Sequence, residues 1–130
     1  MEDLTLDWVL EVHERIAEEC RCDHRIVSEA GLHQMVFRAN LVPGCIHRAA
    51  LVFYTLCAYP SFREGNEKTA LAVSMDILAS GGYRVVAEPA ALLDLAEGIR
   101  DFVTEQEDVD RWLLENTREC ISTSARILPG

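Results

Sequence analysis

The stretch Ile46 to Tyr59, IHRAALVFYTLCAY, constrains the fold more than any other part of the chain. From Ala49 to Ala58 it is apolar almost all round, and a helix of that kind is stable only when other elements cover it. The run is far shorter than the roughly 20 residues of a membrane span, so its cover has to come from the chain itself. Pro60 disfavours helix at Tyr59 and ends the run there. The expected architecture is all-α, a single-domain helical bundle around a buried central helix.

The flanking patterns supply the cover. Leu6, Val9, Leu10, His13, Ile16 and Ala17 recur at helical spacing, with Asp7, Glu11, Glu14, Arg15 and Glu18 on the other side. Ser28 before Glu29 opens a shorter helix through Leu32, Met35, Val36 and Phe37. Asn40 to Gly44, with Pro43 and Gly44 adjacent, reads as a tight connection. Lys68 to Ser80 resumes helical spacing and stops at Gly81 and Gly82. Tyr83 to Ala87 is β-prone and is expected to be an extended connector. Pro89 then opens a helix through Leu92, Leu93, Leu95, Ala96, Ile99 and Phe102. A last helix, about Gln106 to Arg118, carries Val109, Trp112 and Leu113. The chain of 130 residues has the size of one domain, with 1–5 and 121–130 expected as tails.

Charge narrows the function classes. The formal net charge is -10, and the eleven arginines and one lysine are scattered. Nucleic-acid binding over a broad basic surface is therefore not expected, and basic partners are easier to accommodate. The five cysteines are odd in number, and the acidic start MEDLTLD lacks the basic, apolar pattern of a signal peptide. A reducing cytoplasm and no membrane association are the expectations.

The candidate chemistry is at Phe62 to Lys68, where a loop containing Gly65 runs into the start of a helix. The first amides of a helix are unpaired and favour anions. Gly65 lets the backbone approach a phosphate, Asn66 can hydrogen-bond it and Lys68 supplies a positive charge. Glu64 is a candidate magnesium ligand, since magnesium combines one or two carboxylates with phosphate oxygens. A short loop capping a helix is also common as plain structure.

The segment Pro60 to Ala70, PSFREGNEKTA, resembles the Fic/Doc signature, HxFx[DE]GN followed by lysine or glycine, arginine and, in the death-on-curing branch, Thr-Ala. Phe62, Glu64, Gly65, Asn66, Thr69 and Ala70 match in register. The likeness continues in WVLEVHERIAEE, with its Leu10-x-x-His13 pattern, in EAGLHQMVFRA, in SGGYRVVAEPAALLDLAEGI and in VDRWL. It implies a small helical bundle whose loop holds ATP through magnesium and whose histidine activates a target hydroxyl for transfer of AMP or phosphate. Phe62 would pack the motif, and an antitoxin-like protein would be the partner; a homodimer is compatible as well.

The motif departs from that pattern. Its base position falls on Pro60, which cannot abstract a proton, and Tyr59, one register away, would be a poor base with a pKa near 10. General-base catalysis typically supplies about 100- to 10,000-fold. Glu67 puts a negative charge at the anion site, or caps the empty helix, and Lys68 replaces an arginine without its bidentate geometry. The short Asn40 to Cys45 connection leaves almost no room for a two-stranded flap to dock a target. Three readings follow: a binding module with transferase activity lost or much reduced, a working phosphoryl or nucleotidyl transferase, and a structural oligomerisation unit.

Other residues carry rival readings. Cys20, Cys22 and His24 are either a metal clip or a plain helix end with free thiols. His13 is expected as a hydrogen-bonded core histidine. Trp8, Phe37 and Trp112 are expected as core or helix contacts, against a partner surface. The run Glu105 to Asp110 is a solvated helix start.

Overall fold

The computed structural model describes residues 2–120. Six helices are described: α1 (Leu6–Cys20), α2 (Glu29–Leu41), α3 (Cys45–Ala58), α4 (Asn66–Ser80), α5 (Pro89–Arg100) and α6 (Gln106–Asn116). The protein is mostly helical, and the apolar run lies where its composition requires. α3 packs on α2, α4, α5 and α6, with Ala49, Val52, Phe53 and Leu56 buried. Only Tyr54, Thr55 and Ala58 along its second half are partly open.

Local chemistry sets the helix ends. Thr5 Oγ1 accepts from Trp8 N at 3.1 Å and caps α1. At its other end Arg21 is left-handed (φ 56°), with Arg21 N and Cys22 N donating to Glu18 O and Ala17 O in a Schellman turn. Ser28 Oγ caps α2 by accepting from Gly31 N at 3.0 Å. The α2–α3 connection is only Val42 to Gly44, with Gly44 at φ 85°, so no flap forms there.

Three expectations need correction. The β-prone segment after Gly82 is more than a connector: β1 (Tyr83–Val85) pairs antiparallel with β2 (Thr117–Glu119), Tyr83 opposite Glu119 and Val85 opposite Thr117. The last helix accordingly stops at Asn116, because Thr117 is extended and its hydroxyl donates to Leu113 O at 2.7 Å. Phe37 is not a core residue. The inner face of α2 is formed by Leu32, Met35 and Ala39, a register that leaves Phe37 66% exposed. Trp8 and Trp112 do pack against the core, and Trp8 Nε1 also donates to Asp76 at 3.3 Å.

The start of the chain is tied down. Leu4 is buried, and its N–H and C=O bond the Asn40 side chain at 2.8 and 2.9 Å. Beside it the buried Arg48 donates to Ala39 O at 3.0 Å and to Glu2 O at 3.1 Å, covering a carbonyl in the last turn of α2. The expected tail 121–130 lies outside the described residues.

Asn40→Ala should strip both Leu4 backbone groups of their partner and lower stability by about 1–3 kcal/mol, measured by urea unfolding. An unchanged midpoint would mean that the N-terminal segment adds nothing to the fold.

Candidate functional site

The Pro60 to Asn66 segment joins the two most extensively packed helices, α3 and α4, and it is held shut by its own side chains. Asn66, the first residue of α4, turns its amide back on the loop: Oδ1 accepts from Phe62 N at 3.0 Å and Nδ2 donates to Phe62 O at 2.8 Å. A side-chain amide thus takes the part of a neighbouring peptide group. Gly65 makes the turn at φ 80°, ψ 12°, a left-handed conformation that costs other residues roughly 1–2 kcal/mol. Lacking a side chain, Gly65 leaves the opening amides of α4 without a side-chain acceptor.

Phe62 anchors this loop from below. It is 1% exposed, and its ring stacks on His13 with centroids 3.6 Å apart and planes 6° off parallel. His13, itself buried, donates from Nε2 to Glu64 O at 2.8 Å, and because a carbonyl oxygen can only accept, Nε2 carries the proton. The expected core histidine therefore works as the peg of the loop.

From the other side the α1–α2 connector is zipped onto the loop. Ile26 and Phe62 form an antiparallel bridge, Val27 N and Ser28 N donate to Ser61 O at 2.7 and 3.0 Å, and Arg63 N donates to Arg25 O at 2.9 Å. The connector keeps its shape through Asp23 and Arg25. The Arg25 guanidinium bonds both Asp23 carboxylate oxygens, and these hydrogen bonds hold that carboxyl well below the usual carboxylate range.

Each side chain expected to handle phosphate or metal already has a partner within the chain. Glu64 Oε1 accepts from Asp23 N at 2.7 Å. Lys68 Nζ donates to Cys20 Sγ at 3.1 Å, which raises the Lys68 pKa and keeps it an ammonium. Glu67 pairs with Arg100 at 3.3 Å across to α5, a partly exposed bridge that contributes at most about 1 kcal/mol. Pro60 and Tyr59 are both exposed, and the ring nitrogens of His13 and His47 bond Glu64 and Asp110 instead. Among the described residues no group of three or more His, Cys, Asp or Glu could hold a metal ion, and His24 lies in a separate shallow cleft with His13 and Phe62.

A second, more enclosed cleft of about 290 Å³ lies between α2 and the end of α3. Gln34, Arg38, Thr55, Tyr59 and Ser61 line it, and Met35 is among its walls. Phe37 and Leu41, also on α2, are exposed. Sequence reasoning missed this cleft and the connector's pairing, although the β-branched Ile26 and Val27 after a polar stretch were a usable sign of extended chain. No protein-family model matches the chain, and no curated protein matches it.

Asn66→Ala should cost about 2–3 kcal/mol by unfolding titration, from two lost backbone hydrogen bonds and the polar groups left behind. Amide exchange should quicken at Phe62, whose N–H loses its acceptor. Unaltered protection at Phe62 would show that the loop does not depend on this clasp.

Proposed function

We propose that this chain is a Fic/Doc-like protein of the death-on-curing branch, of toxin-antitoxin ancestry, that has lost most or all transferase activity and acts as a protein-binding module. One observation carries the reading. Asn66, Glu64 and Lys68, which would handle a magnesium-bound triphosphate, are all bonded to their own chain, around a motif whose base position holds Pro60.

The fit of ATP and magnesium to this arrangement is poor. Binding would have to break the Asn66 clasp or proceed without Asn66, and would have to draw Lys68 from Cys20. Glu67 adds a negative charge at the same helix start, only partly offset by Arg100. The short Val42 to Gly44 connection offers no strand against which a target peptide could be aligned.

The cleft beside α2 supports the binding half of the reading. Tyr59, which lines this recess with Arg38, is about two-thirds exposed, as are Phe37 and Leu41 elsewhere on α2. Large exposed apolar side chains suit recognition of a protein segment, such as that of an antitoxin-like partner, better than they suit open water.

With labelled ATP, magnesium and cytosolic extract, the purified protein is expected to label no protein, and to show no magnesium-dependent ATP binding by calorimetry. Label that appears with the wild type and vanishes with Lys68→Met would establish a working transferase instead.

A further inference from the structure

Where α1 ends, two thiols and an ammonium group come together. Cys20 is the last residue of α1, and its Sγ accepts from Lys68 Nζ at 3.1 Å. The left-handed Arg21 folds the chain back so that Cys22 N donates to Ala17 O at 2.8 Å, bringing the second thiol to the same helix end. Both thiols are half-buried. Burial raises the Cys22 pKa first, and the proximity of Cys20 raises it further.

We propose that Cys20 and Cys22 are a peroxide-sensitive thiol pair, with Cys20 as the attacking thiolate beside Lys68 and Cys22 as the thiol that closes the disulfide. The thiolate is the nucleophile in such chemistry, and an adjacent ammonium favours it. The carboxyl end of α1 acts in the opposite sense, but through partial charges, whereas Lys68 brings a full charge into direct contact.

The oxidant is hydrogen peroxide. Cys20 sulfur attacks one peroxide oxygen, an S–O bond forms as the O–O bond breaks, and the leaving hydroxide takes a proton to become water. Cys22 sulfur then attacks the sulfenic sulfur; the S–S bond forms, the S–O bond breaks, and the Cys22 proton leaves with the hydroxide as a second water. Two thiols are oxidised by two electrons and the peroxide is reduced by two.

The remaining cysteines define the selectivity. Cys45 and Cys57 are buried, and burial pushes the Cys57 thiol up to about 12. Cys120 is the most open, but its thiol donates to Gly82 O at 3.2 Å, and among the described residues no cation bonds it. Accessibility alone would make Cys120 react first; the Lys68 contact makes Cys20 first. Disulfide closure would also take from Lys68 its sulfur acceptor, freeing the one lysine of the chain in the first turn of α4. This chemistry stands apart from the fate of the nucleotide site.

The test treats the reduced full chain with limiting hydrogen peroxide and digests it with trypsin. Cleavage after Arg21 separates the two cysteines, so peptides 16–21 and 22–25 should remain joined, with a mass lower by two hydrogens. In Cys22→Ser, dimedone should trap a sulfenic acid on Cys20 before Cys120. Lys68→Met should slow that labelling several-fold, because the thiolate loses the cation that contacts it, and Lys68→Arg should restore most of it. Labelling of Cys120 first, disulfides only between molecules, or a rate indifferent to Lys68→Met would each overturn the proposal.

Discussion

A helix that is apolar nearly all round has to be enclosed, and the enclosure of α3 places everything else in this molecule. Four helices are drawn onto it, so its two ends become the points where chain must leave the core. At the amino end the exit is three residues long and pinned from below by Arg48 and Asn40. At the carboxyl end Pro60 forbids more helix, and the chain has to turn within a few residues to lay α4 antiparallel beside α3. The candidate site is that turn. Its position follows from burial before any chemistry is considered.

A turn between two tightly packed helices carries backbone groups that water reaches poorly, and these must be satisfied. Asn66 answers for Phe62, His13 for the Glu64 carbonyl, and the α1–α2 connector for Ser61 and Arg63. The arrangement is cooperative in a specific sense. His13 is aimed by its stacking on Phe62, while Phe62 is held by Asn66, so loosening any one of the three exposes the other two. The same economy explains the poor fit to a nucleotide, since groups used to satisfy the loop are not free to satisfy a ligand.

The sequence showed the helices with little ambiguity, because a 3.6-residue period, Pro60, the Gly81–Gly82 pair and caps such as Ser28 are local signals. It placed the opening of α4 two residues late, at Lys68, since nothing local reveals that Asn66 folds back to close the loop as the first helical residue. The β1–β2 pair was half legible: Tyr83 to Val85 has the right residues, but Thr117 to Glu119 becomes strand only through a partner more than thirty positions away. Phe37 was misplaced because the apolar positions of α2 occupy more than one face, and composition does not say which face is turned inward. Of the site, the residue types at 62 to 68 were readable and their bonding was not. That Lys68 meets Cys20 rather than open solvent depends on α1 and α4 lying side by side, which is a tertiary fact.

Charge completes the account. In a protein of net charge -10, a phosphate site requires local cations that outweigh the general field. Among the described residues the cations near the start of α4 include Lys68, engaged by a sulfur, and Arg100, engaged by the carboxylates of Glu67 and Glu97. Glu64 and Glu67 stand in the same few residues. Unpaired amides at a helix start attract anions through partial charges only, so two full negative charges nearby, incompletely cancelled, weigh against the attraction even though the backbone geometry is suitable. The loop therefore has the backbone form of an anion cradle while its side chains serve the stability of the turn.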